Sequence, residues 1–100
     1  MAVLAIFTGP ITKDQYEKLR KIVDWEGKRP AGAVFHAAGF DETGNAHVAD
    51  VWESAEALDA FVGQRLMPAF QQMGFTPPQV EVYPAHNVNA FTETIEKYKV

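Results

Sequence analysis

The sequence predicts a single α+β domain: one antiparallel sheet with its helices packed on one face. Three observations carry this. Short apolar runs rich in strand formers alternate with stretches whose apolar residues recur every three or four positions, in the order strand–helix–strand–strand–helix–strand. Glycine and proline punctuate the junctions between them. The 100 residues, 47% hydrophobic and 22% charged, suffice for one modest core and are too few for a second. This order is the split βαβ, or ferredoxin-like, plan.

Each element has its own reason. Residues 2–8, AVLAIFT, form a buried strand that ends at Gly9-Pro10. Thr12 opens the first helix, where its hydroxyl can cap the third helical amide while Gln15 reaches back to the cap residue. Tyr16, Leu19, Ile22 and Val23 give that helix one apolar face, Gly27 is its expected stop, and Pro30 lies beyond it. Residues 32–40 and 46–53 are two strands joined by Asp41-Glu42-Thr43-Gly44-Asn45, in which Gly44 suits the left-handed position of a bulged hairpin turn. Ser54 caps the second helix, and Glu56 sits in its first turn. Leu58, Phe61, Val62, Leu66, Phe70 and Met73 are its buried stripe, which Pro68 is expected to kink or divide. Gly74 ends it, and Pro77-Pro78 prevents continuation. Residues 79–85 alternate as the last strand, with Val80 and Val82 on one face and Pro84 at the end. The expected division is a domain over residues 1–86 and a C-terminal tail over 87–100 with a short amphipathic helix. Phe91, Ile95 and Tyr98 share one side of that helix and are expected to pack, on this chain or on a partner.

Composition excludes several functions. The formal net charge is −4 and no Lys/Arg run exceeds two residues, so the chain lacks the basic footprint of a nucleic-acid or anionic-membrane partner. The central strands also lack the stacked aromatics flanked by basic residues that RNA-binding sheets use. No apolar run approaches the ~20 residues of a membrane span. MAVLAIFTGP has no basic leader region, and the expected location is cytoplasmic. There are no cysteines, and His36, His47 and His86 show no metal-ligand spacing, so neither metal nor cofactor is expected. Thr8-Gly9-Pro10 is not a phosphate cradle, because no Gly-rich run precedes a helix. Both faces of the strands alternate apolar side chains, yet the helices can cover only one. A homodimer formed through the other face is the simplest cover.

The hairpin turn also places chemistry. With Asp41 opposite Asn45, His36 lies opposite Asp50 and Val34 opposite Trp52. An Asp beside a His fixes the imidazole tautomer and holds the ring ready to take a proton. Val34, Val48 and Trp52 share that face, so the pair sits in apolar surroundings that would suit proton abstraction from a phenol or hydroquinone. His36 and Asp50 are therefore the candidate catalytic pair, and Val34, Val48, Trp52 and the edge residue His86 are the candidate substrate contacts. The same pair can equally be a structural cross-strand contact, and Trp52 a core side chain. His47 has the opposite parity to Asp50 and is expected at the surface or an interface. Tyr83 shares the parity of Glu81 and belongs on the dimer face.

The run Asp50-Val51-Trp52-Glu53-Ser54-Ala55-Glu56-Ala57, followed by Phe61, resembles the antibiotic-biosynthesis-monooxygenase-like group of the dimeric α+β barrel superfamily. The His36 strand and Val82-Tyr83-Pro84 add weaker support, and the likeness spans about residues 2–86. It implies two sheets face to face in a barrel with helices outside, and a pocket in each subunit between sheet and helices. Active members oxidise quinone-type aromatics without metal or cofactor, or bind and degrade haem. The haem-degrading members supply a His from the second helix. Residues 54–73 contain none, so haem cleavage of that type does not carry over. Trp52 falls where the superfamily keeps a pocket Trp. Two functions follow: a cofactor-independent monooxygenase-like enzyme acting on an aromatic or polyketide-like compound, or a non-catalytic, stress-associated homodimer that binds a small apolar or aromatic ligand.

Overall fold

A computed structural model of the chain describes residues 1–100. The elements appear in the predicted order: β1 (Val3–Gly9), α1 (Lys13–Val23), β2 (Ala33–Phe40), β3 (Ala46–Trp52), α2 (Ala55–Phe61), α3 (Met67–Met73), β4 (Gln79–Pro84) and a short α4 (Thr92–Ile95). The four strands form one antiparallel sheet in the order β2-β3-β1-β4. This is the ferredoxin-like α+β arrangement that the alternation of elements predicts.

One sheet face carries Val3, Ala5 and Phe7 of β1 with Ala46, Val48, Asp50 and Trp52 of β3. Leu19 and Val23 of α1, Leu58 and Phe61 of α2, and Ala69 and Phe70 of α3 pack against it as one core. Burying a side chain such as Leu19, Leu58 or Phe70 stabilises the fold by about 1.5–3 kcal/mol each. The other face presents Leu4, Ile6, Ala49 and Val51, and no helix of the core packs there.

Local chemistry sets the element ends. The capping box of α1 is complete: the Gln15 amide donates to Thr12 Oγ1 at 3.2 Å and the Thr12 amide to Gln15 Oε1 at 3.0 Å. The helix stops at Val23, four residues before the expected Gly27, because Asp24 turns into the left-handed region at φ 56° and its carboxylate accepts from the Gly27 amide at 3.1 Å. The β2–β3 turn closes as predicted, with the Asp41 amide donating to the Asn45 carbonyl at 3.0 Å and Gly44 at φ 88°.

The second helical stretch is divided, as Pro68 requires. Val62–Leu66 is a π-helical turn in which the Met67 amide reaches the Val62 carbonyl five residues back, and α3 then begins with Pro68 in its first turn. The wider turn moves away the carbonyl that the proline ring would strike.

One expectation is corrected. Val34 does not face Trp52: a bulge between Ala33 and Phe35 puts Ala33 opposite Trp52, while Phe35 to Phe40 keep the predicted register. The offset begins at Gly32, which sits at φ 82° with its carbonyl accepting from the Glu53 amide at 2.8 Å. A Cβ there would lie 2.6 Å from that of Ala57, so β2 enters the sheet hard against α2 and takes up the mismatch with one extra residue. In the tail, the Val100 carbonyl accepts from Arg20 and Ile95 is half-buried. Phe91 and Tyr98 are 72% and 77% exposed, although the helix Thr92–Ile95 forms.

Candidate active site

A cavity of about 500 Å3 lies between the helix face of the sheet and α1, α2 and α3. Phe7, Trp25, Trp52, Phe61 and Phe70 supply aromatic walls, Leu19 and Leu66 aliphatic ones, and Val34 and Val48 border it from β2 and β3. Tyr16, His36 and Asp50 form a polar cluster among them, and Arg29, Thr92 and Lys99 are further polar lining residues.

Tyr16, His36 and Asp50 form a continuous hydrogen-bonded chain. Asp50, 6% exposed, accepts from His36 Nδ1 through Oδ1 at 2.7 Å and from Trp52 Nε1 through Oδ2 at 3.3 Å. An ionised carboxylate only accepts, so the network assigns the His36 proton to Nδ1 and leaves the Nε2 lone pair facing outward. The Tyr16 hydroxyl donates to that Nε2 at 2.8 Å. Burial pushes the Tyr16 phenol up to about 12; the nearby Arg20 charge pulls it down, and Glu26, Glu17 and Asp50 push it further up. Tyr16 therefore stays a hydroxyl donor at neutral pH. The His36 side chain is 33% exposed, so the chain runs from a dry carboxylate to a wetter imidazole.

Aromatic packing fixes the imidazole. The ring of Trp25 stands 5.2 Å from that of His36 and 5.6 Å from that of Tyr16. Tyr16 meets Phe40 edge-on at 5.4 Å. Beneath Trp52, Phe61 lies 5.0 Å away and in turn carries the Arg65 guanidinium at 5.5 Å. One turn along α1, Arg20 forms a fork on Glu26 at 2.5 and 2.6 Å, reaches Glu17 at 3.2 Å and donates to the Val100 carbonyl. Its hydrogen bond holds the Glu26 carboxyl below the usual range and, from the other side, raises the guanidinium.

The structure thus brings His36, Asp50, Trp52, Val34 and Val48 to one cavity. His86 is exposed and does not line it, since β4 ends at Pro84 and strand parity no longer governs the following residues. His47 is at the surface, where its Nε2 meets Asp41 Oδ2 at 2.7 Å. Tyr83 shares the sheet face of Leu4, opposite the helices. No three His, Asp or Glu side chains converge as metal ligands.

Tyr16 and Trp25 are functional candidates that the sequence reading missed. Tyr16 looked like one more member of an aliphatic stripe. Its signal was chemical: a half-buried phenol needs a hydrogen-bond partner. Trp25 became a wall only because α1 ends early.

No protein-family model and no curated protein matches the chain. Solved structures match its fold. A candidate antibiotic biosynthesis monooxygenase from Chloroflexus aurantiacus superposes with TM-score 0.66 at 14% identity, covering 90% of this chain and 98% of its own. A second such candidate, from Deinococcus radiodurans, gives 0.60 at 13% identity over 90% and 98%. SnoaB, a cofactor-independent oxygenase from Streptomyces nogalater, gives 0.61 at 14% identity over 87% and 93%. The chain therefore has the fold of the antibiotic-biosynthesis-monooxygenase-like proteins, the group its Trp52 segment resembles.

Proposed function

We propose that the chain is a small-molecule enzyme that oxygenates an aromatic, polyketide-like compound with dioxygen, using His36 as the base. The supporting observation is the Asp50–His36–Tyr16 hydrogen-bond chain on the wall of a largely apolar cavity of about 500 Å3. A phenol or hydroquinone in the cavity passes its hydroxyl proton to the Tyr16 oxygen as Tyr16 passes its own to His36 Nε2. The imidazolium formed is held by Asp50. The substrate anion is then electron-rich enough to reduce dioxygen. One oxygen atom becomes a ring carbonyl, and the other leaves as water with the hydrogen of the oxidised carbon and the proton that His36 took from the substrate hydroxyl. The apolar walls exclude bulk water from the anion. Oxygen uptake and mass spectrometry over a panel of hydroquinones and anthrone-type compounds test this. Turnover that disappears in His36→Gln supports it; a panel bound but never oxidised overturns it.

A second reading has one observation in its favour. Nε2 of His36 is already capped by Tyr16, so the pair is fully satisfied without a substrate. On that reading the chain binds an aromatic ligand and turns nothing over.

Either reading takes the chain as a homodimer through the sheet face bearing Leu4, Ile6, Ala49 and Tyr83, because an incompletely covered apolar sheet face is unfavourable in water. Sedimentation at micromolar concentration should show a dimer, and a charged residue at Ile6 should yield aggregate or unfolded chain rather than soluble monomer. A wild-type chain that sediments only as monomer removes this assignment.

A further inference from the structure

Arg29 is the cation of the cavity that has no acidic partner. Its Nη2 donates to the Ala33 carbonyl at 2.9 Å, which anchors the guanidinium on the first residue of β2 and uses one of its five N–H donors. No carboxylate lies within ion-pair distance of it, whereas Arg20 is paired with Glu17 and Glu26, and Lys99, the other cation lining the cavity, with Glu96. The one acidic side chain of the lining, Asp50, has both oxygens committed to His36 and Trp52. A planar fork with free donors, at the exposed rim of the cavity and without a local counter-charge, matches a carboxylate bidentately. The chain as a whole carries net charge −4, so this cation is a local feature and not a general bias.

We infer that the cavity takes an aromatic acid, its rings among Trp25, Trp52, Phe61 and Phe70, its carboxylate on Arg29 and its hydroxyl at Tyr16 and His36. The inference rests on the reading of this cavity as a ligand site and adds the charge of the ligand. Geometry supports the span. Arg29 is tied to Ala33, which lies opposite Trp52, and His36 lies opposite Asp50, two residues away on β3, roughly 7 Å at strand rise. That is the length of a fused two-ring compound, and the cavity volume lies within the range that holds one.

Trp25 and Trp52 are the only tryptophans and both line the cavity, so quenching of their fluorescence reports its occupancy. Naphthol and hydroxynaphthoate should be titrated into the wild-type protein, Arg29→Gln and Arg29→Lys. The expected result is tighter binding of hydroxynaphthoate than of naphthol by about tenfold or more. Arg29→Gln should abolish that preference while leaving the affinity for naphthol unchanged, and Arg29→Lys should retain part of it. Equal affinities in the wild-type protein, or a preference that survives in Arg29→Gln, overturns the inference and leaves the ligand site standing. Failure of both compounds to quench overturns the ligand site and the inference together.

Discussion

The β2–β3 hairpin holds two His–Asp pairs with the same contact distance and opposite tasks. His36–Asp50 and His47–Asp41 both meet at 2.7 Å. Asp41 lies at the turn, and its spare hydrogen-bonding capacity goes to the turn itself: Oδ1 accepts from the Thr43 amide at 2.9 Å, the Asn45 amide at 3.1 Å and the Thr43 hydroxyl at 2.6 Å. Asp50 lies in the fifth pair from the turn on the covered face, and its second oxygen goes to the side chain of Trp52. The carboxylate that organises the turn therefore sets the register that brings the other carboxylate to its histidine. One pair builds the turn, and the other faces the cavity. Burial makes the difference, because a polar group must be satisfied where water cannot reach it and is optional where water can.

The largest expected contrast is in turnover. With an oxidised substrate in hand, His36→Gln should lower the rate by about 10²–10⁴-fold, the usual size of a general-base contribution, while folding stays intact by circular dichroism. His47→Gln should leave the rate unchanged, since that ring is at the surface and bound only to the turn. Equal losses from both would show that the hairpin acts as one unit and that the contrast drawn here is mistaken.

Stability separates the pairs next. Asp50→Ala leaves the N–H groups of His36 and Trp52 without their acceptor in a half-dry site, a cost of about 1–3 kcal/mol. His36→Ala should cost less than the sum implies when combined with it, so that a double-mutant cycle returns a coupling energy between the two. Asp41→Ala should lower the melting temperature by less, because solvent replaces what the turn loses. Denaturant titrations of the four variants check this ordering.

The same contrast marks where sequence reading succeeded. The register from Phe35 to Phe40 follows from Asp41 to Asn45 alone, because turn chemistry is local and strand pairing propagates it. Hence His36–Asp50 and the neighbouring Trp52 and Val48 were legible. The bulge at Val34 was not, since it depends on Gly32 meeting Ala57 of a helix more than twenty residues away. Tyr16 was visible as a helix-face residue, but which strand residue it meets depends on how α1 sits on the sheet, and apolar spacing carries no information on that. Trp25 required knowing that Asp24, rather than Gly27, takes the left-handed position. His86 shows the converse error, in which parity was extended past Pro84, where the strand had ended.

Alkaline pH sharpens the buried pair through its third member. The folded-state pKa of Tyr16 is raised from the ordinary phenol value near 10 to about 12. Between those values the unfolded chain has lost the proton and the folded chain keeps it, so stability falls as pH rises through this window. Tyr16→Phe removes the group that titrates. The variant should be less stable at neutral pH, having lost the hydrogen bond to His36, but its stability should fall less steeply between about pH 10 and 12 than that of the wild type. Parallel alkaline profiles would mean that the Tyr16 hydroxyl is open to water and does not cap the imidazole.

The smallest expected effect belongs to the exposed pair and lies at the other end of the pH scale. The Asp41 carboxyl is held well below the usual range, first by the Thr43 hydroxyl and then by His47 and the Asn45 amide. Because its folded-state pKa is depressed, its contribution to stability is complete above the ordinary carboxylate pKa of about 3.9 and is lost as pH falls from there toward the folded value. Asp41→Asn should therefore melt slightly below the wild type at neutral pH, and the gap should close as the medium is acidified below about pH 4. Salt should narrow the gap as well, since the pair is exposed and screened. A gap that persists unchanged in acid would assign the stabilisation to the neutral hydrogen bonds of the turn rather than to its charge, and the two histidine pairs would then differ in kind and not only in burial.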